Sequence, residues 1–140
     1  MQVRIKKLNE NAVIPSYAKD GDACFDLTAT SIKVEDDYIQ YGTGLAMEIP
    51  EGYVGIILPR SSVTNKGLML KNSVGILDSG YRGEISFRFY DLDGDDSSRY
   101  RIGERIGQMM ILPVPKIQLV EVDELTDSER GDGGYGSTGK

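Results

Sequence analysis

The sequence predicts an all-β barrel or sandwich, and three observations carry that reading. Apolar residues recur at every second position in short runs. The breaks between runs hold glycine or proline, and no window carries a long apolar stripe at i, i+3, i+4 and i+7. At 140 residues the chain is one ordinary domain, long enough for a core and too short for two.

Each run reads as a strand. Val3 and Ile5 open the series. Leu45, Met47 and Ile49 follow, then Val54, Ile56 and Leu58. Ile85, Phe87 and Phe89 alternate against Glu84, Ser86 and Arg88, and the pattern continues from Ile106 to Val114. Pro15, Gly21, Gly42, Pro50–Gly52, Pro59, Gly67, Gly94, Gly103, Pro113 and Pro115 punctuate the runs. At most a helical turn or two fits around Ser61–Lys66.

Composition narrows the chemistry. Hydrophobic residues make up 39% and charged residues 27%, as in soluble globular domains. No apolar run reaches membrane-spanning length, and the Met1–Leu8 stretch lacks the apolar core of a signal peptide, so the cytoplasm is the expected compartment. Cys24 is the only cysteine, which excludes an internal disulfide. There is no histidine, so a Ser-His-Asp or Cys-His machine is excluded, as is an imidazole zinc site. A metal would have to be a hard, oxygen-liking ion such as magnesium, and a general base a carboxylate, lysine or tyrosine. A net charge of −6 argues against a polymeric nucleic-acid partner but not against a small nucleotide.

Four segments could carry chemistry. Gly75–Glu84 reads as a strand, a tight turn at Ser79-Gly80 and a returning strand, a hairpin with Asp78 just before its turn. Asp78 there either caps the turn or points into a cleft. Pro59-Arg60-Ser61-Ser62 ends a strand and offers a guanidinium, two hydroxyls and free N–H groups to an anion. Gly103–Gln108 leads into the last strand. Arg105 and Gln108 are three apart, so regular alternation sends them to opposite faces. Arg130–Lys140 is glycine-rich, and composition alone favours a plain tail over a phosphate-wrapping arm. Asp91–Ser98 is acidic and turn-forming. It lacks the closing glutamate of a calcium loop, because Ile102 stands there, and reads as a solvated loop.

Taken in order, these segments resemble the five motifs of the trimeric dUTPase family, spread over residues 21 to 139. Gly21–Ala29 resembles the first motif, Pro59–Ser62 the second, Gly75–Glu84 the third and Gly103–Gln108 the fourth. Arg130–Gly139 resembles the fifth, Arg-Gly-x-Gly-Gly-aromatic-Gly-Ser-Thr-Gly. The first four are weak alone, and the third and fifth together are specific. Three features depart from the family pattern: Cys24 where glycine is common, Gly80 where some members have aspartate, and Tyr135 where phenylalanine is usual. The 91–100 stretch is also long and acidic for the family.

The resemblance implies a jelly-roll-like subunit in a homotrimer with active sites between subunits. It implies a barrel domain over residues 1–128 and a Gly-rich arm, 129–140, that closes a site. The implied reaction is hydrolysis of dUTP to dUMP and pyrophosphate, with Asp78 activating the water and Mg2+ on the triphosphate. Asp26 would hold the metal through water. Asn72 and the main chain of Gly75, Ile76 and Leu77 would read uracil, and Tyr81 would pack on the sugar and exclude a ribose. Arg60, Ser61, Ser62 and Gln108 would contact phosphates, as would Arg130, Gly136, Ser137 and Thr138 from the arm, while Tyr135 stacks on the base. Two rivals remain: a dCTP deaminase on the same fold, and a nucleotide-sensing protein whose regulatory partner would bind the 91–98 loop.

Overall fold

The structure, a computed structural model, describes residues 1–137. Ten strands run β1 (Arg4–Lys7), β2 (Phe25–Thr28), β3 (Ser31–Val34), β4 (Ile39–Gly42), β5 (Leu45–Glu48), β6 (Tyr53–Leu58), β7 (Leu68–Leu70), β8 (Gly75–Leu77), β9 (Ser86–Asp91) and β10 (Arg105–Pro113). Two 3-10 turns interrupt them. Ser61–Asn65 falls where a helical turn was expected, and Asp96–Ser98 lies in the acidic loop. Among the described residues, no helix is long and apolar enough to cross a membrane.

All the pairing is antiparallel. One sheet has the order β2-β10-β6-β8, a second β3-β4-β9-β7, and β1 pairs with β5 in a two-stranded ribbon. The core lies between the two larger sheets. Leu27, Ile57, Leu77 and Met109 meet Ile39, Tyr41, Phe87, Phe89, Leu68 and Leu70 there. Tyr41 meets Phe89 edge-on at 5.8 Å. Each such side chain contributes about 1.5–3 kcal/mol by leaving water, so the alternation read from the sequence is the dominant signal for this fold.

One local expectation changes. The β8 and β9 segments do not form a hairpin with each other: β8 zips onto β6, while β9 pairs with β4 and β7. Residues 78–85 therefore cross from one sheet to the other, and only the turn itself survives, closed by Tyr81 N–H donating to the Asp78 carbonyl at 3.0 Å. β6 carries its apolar run on the outer face. Its buried face is Gly55 and Ile57, because Gly55 leaves room for the Met109 methyl and Leu77. Val54, Ile56 and Leu58 face outward with Ile76, Met110 and Leu112 across the ladder. The outer face of this sheet is thus apolar, with Ile76 58% exposed.

Strand pairing ends at Pro113. Val114 N–H still reaches the Gly52 carbonyl, but residues 115–127 make no backbone–backbone hydrogen bond among the described residues and lie exposed.

Candidate active site

Three strands converge on Asp26. It sits in β2 opposite Gln108 of β10, and Leu58, also opposite Gln108, leads into Pro59 and Arg60. One carboxylate oxygen of Asp26 accepts from Arg60 Nε at 2.9 Å and the other from Arg105 Nη1 at 2.9 Å. Two guanidiniums on one carboxylate leave this corner net positive, as a polyphosphate requires. Arg60 Nη1 also donates to Ser62 Oγ at 3.3 Å, and Gln108 Nε2 to the Pro59 carbonyl at 2.9 Å. Ser61 is exposed, at the start of the 3-10 turn. Beside them lies a cleft of about 250 Å3 lined by Asp22, Cys24, Asp26 and Gln108, among others. Burial, and then the Asp26 charge, push the Cys24 thiol above its ordinary pKa.

Alternation had placed Arg105 and Gln108 on opposite faces. The structure brings both to Asp26, because β10 carries a bulge between Arg105 and Gly107 in its pairing with β2. One extra residue shifts the period, so positions three apart share a neighbourhood. Ile106 and Gly107 are buried in succession, and a side chain at 107 would strike the Phe87 ring. Arg105 is the functional candidate that the sequence reading missed. A glycine inside an otherwise apolar strand was the available signal.

The second group of candidates lies elsewhere. Gly75, Ile76 and Leu77 are β8, at the other edge of the same sheet, with Asn72 exposed just before it and Asp78 just after. Three inter-strand steps separate β2 from β8, roughly 14 Å. Along the strands the separation is greater still. Gly55 is opposite Leu77, so Asp78 lies near Val54, about 20 Å down β6 from Arg60. Among the described residues the Asp78 side chain has no hydrogen bond or ion pair, so it does not cap its turn. It lines an open cleft of about 540 Å3 with Tyr53, Ile76, Ser79 and Lys116, among others. Tyr81 is half-exposed and lies over Gly83, its hydroxyl donating to the Glu84 carbonyl at 3.0 Å.

The arm forms a third group. Its turns close on themselves: Arg130 Nε donates to the Gly133 carbonyl at 3.0 Å and Ser137 N–H to the Gly134 carbonyl at 3.0 Å. Tyr135 is fully exposed, in a left-handed conformation with φ of 50°. Gly136 follows with φ of 86°, and Thr138 lies outside the described residues.

In the acidic loop, Asp91 and Asp96 are engaged by Arg99 and Arg101, and Asp95 caps the Ser97 amide. Among the described residues no cluster of three His, Cys, Asp or Glu side chains could cage a metal. Asp26 nonetheless fits an ion that keeps its waters, since each of its oxygens retains a free lone pair beside its arginine bond.

Comparison with known proteins decides the family. The dUTPase family model matches residues 10–139. The chain belongs to the dUTPase family. The deoxyuridine 5'-triphosphate nucleotidohydrolase of Hydrogenobaculum sp. is 42% identical over 143 residues, covering 99% of each chain. That of Nautilia profundicola is 43% identical over 147 residues, covering all of both. Among solved structures, the dUTPase of Staphylococcus bacteriophage 80alpha with dUpNHpp superposes with a TM-score of 0.86 at 28% identity, over 99% of each chain. The jelly-roll-like all-β fold expected from the sequence is therefore the fold of this dUTPase-family chain.

Proposed function

We propose that this chain hydrolyses dUTP to dUMP and pyrophosphate in the cytoplasm, keeping uracil out of DNA and supplying dUMP for thymidylate synthesis, in a site shared between copies. The observation that carries the reading is the separation of its two corners. The Asp26–Arg60–Gln108 corner has the charge to hold phosphates, and the Asn72–Asp78 corner has free backbone and a free carboxylate. Neither is complete, and at some 14–20 Å apart a single chain cannot close them on one nucleotide. A second copy can. The apolar outer face of the β2-β10-β6-β8 sheet favours close contact between subunits. So does the extended 115–127 stretch, with Leu119 88% exposed. The homotrimer implied by the family resemblance satisfies both.

In the assembled site, Asn72 and the main chain of Gly75, Ile76 and Leu77 pair with the uracil edge, leaving the amino group of cytosine without a partner. Each mismatched buried polar group costs about 1–3 kcal/mol. Tyr81 packs against the deoxyribose. Arg60, Ser61, Ser62, Gln108 and Arg105 neutralise and orient the phosphates. Asp78 accepts a proton from the attacking water as its oxygen bonds to the α-phosphorus and the bond to the bridging oxygen breaks, releasing pyrophosphate. Asp26 would hold a bound magnesium ion indirectly, through water. When bound to the triphosphate, Mg2+ offsets phosphate charge and favours in-line geometry. The arm, residues 129–140, unfolds its own turns to lay Tyr135 over the base and Arg130, Gly136, Ser137 and Thr138 over the phosphates, excluding bulk water.

The test is product analysis with magnesium and, separately, dUTP, dCTP, dTTP and UTP. Pyrophosphate and dUMP from dUTP alone are expected. Ammonia release from dCTP would move the assignment to a deaminase, and no turnover of any of them would remove the enzyme reading.

A further inference from the structure

Residues 78–85 cross from one sheet to the other, and the turn that carries Asp78 is lightly held on the way. One backbone–backbone hydrogen bond, from the Tyr81 amide to the Asp78 carbonyl, closes it. Gly80 lies at its bend with open space where a side chain would stand. A glycine bend of this kind keeps wide backbone freedom unless something ties its carbonyls down.

The next side chain supplies the tie. Arg82 folds back over the turn, and its Nη1 donates to the Ser79 carbonyl at 2.7 Å and to the Tyr81 carbonyl at 2.9 Å. The carbonyls of Asp78, Ser79 and Tyr81 are therefore all engaged. At its other nitrogen the guanidinium is anchored from a distant part of the chain. Nη2 lies 3.5 Å from Glu48 Oε1, and Glu48 Oε2 pairs with Arg4 Nε at 2.9 Å. Arg4 and Glu48 are register partners in the β1–β5 ribbon, so Arg82 hangs between that ribbon and the turn. Only a fork can do this, with two hydrogens of one nitrogen on two carbonyls and a second nitrogen left for a carboxylate. The Arg82 and Glu48 side chains are 54% and 38% exposed, and ion pairs at that exposure add little to stability. What the arrangement fixes is the shape of the turn.

We propose that Arg82 is a positioning residue that braces this turn and so holds Asp78 at the attacking water. The inference rests on reading Asp78 as the proton acceptor. A carboxylate on an unbraced glycine turn samples many orientations, and few of them lie within hydrogen-bond reach of one water. Arg82 acts through the backbone and touches neither the nucleotide nor the reacting atoms.

Arg82→Gln removes the charge and the fork together. Its kcat and KM for dUTP are read beside its affinity for dUpNHpp, its melting temperature and the amide exchange of Tyr81 in the nucleotide-free protein. Exchange at Tyr81 is expected to quicken and kcat to fall roughly five- to fiftyfold, while analogue affinity and melting hold. In the Asp78→Asn background the same change is expected to have no further effect on kcat. Unchanged exchange or unchanged kcat would overturn the proposal. So would a raised KM with weaker analogue binding at constant kcat, which marks a direct phosphate contact. An equal loss in both backgrounds with a lower melting temperature would overturn it too, by making Arg82 a prop of the fold. Failure of the underlying reading looks different: either the wild-type chain does not turn over dUTP, or Asp78→Asn alone is silent, and both outcomes take this inference down as well.

Discussion

Asp26 and Asp78 stand at opposite edges of one four-stranded sheet, in opposite surroundings. Asp26 is mostly buried and bridges two guanidiniums, so its geometry is set by the fold and its charge is already spent on partners. Asp78 is exposed on a tight turn, and its side chain has no partner among the described residues. A carboxylate held by arginines organises charge. One left unpaired is available to accept a proton once a neighbouring surface covers it. On the proposed reading, the fold stabilises the phosphate corner in advance and leaves the proton-accepting corner to be completed by assembly.

The largest effect should separate the two aspartates. Asp78→Asn is expected to lower kcat by about 10²–10⁴ while the melting temperature and the affinity for a non-hydrolysable dUTP analogue hold, since nothing in the fold leans on that carboxylate. Steady-state kinetics beside calorimetry read both. Asp26→Asn is expected to behave differently: losing a partner for two arginines costs about 1–2 kcal/mol of stability, a fall of about 3–8 °C in Tm. A silent melting curve would mean that the arginine bridge organises nothing.

Gly107→Ala probes the bulge that brings Arg105 and Gln108 together. A methyl there meets the buried Phe87 ring, and overpacking of this kind costs about 1–3 kcal/mol. Denaturant unfolding is expected to show that loss together with a raised KM for dUTP. Unchanged values of both would mean that the bulge tolerates a side chain.

The smallest effect is one of pH. Asp96, through Arg101, and Asp95, through Ser97, are held below the ordinary 3.8 in the folded chain. Groups with depressed folded pKa values contribute stability above 3.8 and lose it as pH falls through the lowered value. The 91–101 loop is therefore expected to loosen only below about pH 3.8, seen as faster amide exchange at Ser97. Loosening already at pH 5 would contradict these contacts.

Much of this was legible in the sequence. Phe87 and Phe89 alternate cleanly and are core, and the motif order named the family before any strand was placed. Val54, Ile56 and Leu58 share one face of β6, as the alternation has it, but that face is the outer one, and a sheet with apolar residues on both faces gives alternation no polar side to tell inner from outer. The hairpin expected at Gly75–Tyr90 failed for a related reason: a turn fixes local direction, while pairing partners are chosen by distant strands. Arg105 was hidden by a bulge, which breaks the period that assigned it to the wrong side. The separation of Asp26 from Asp78 has no local signature, since it follows from strand order alone.

Mixing two inactive variants tests the shared site most directly. Asp78→Asn and Arg60→Ala are each disabled at one corner. Unfolded together and refolded as mixed assemblies, they are expected to recover activity toward about one quarter of the wild-type value, because random subunits pair two intact corners in that share of sites. No recovery above either variant alone, with mixed assemblies verified by mass, would show that both corners act within one chain and would contradict the account.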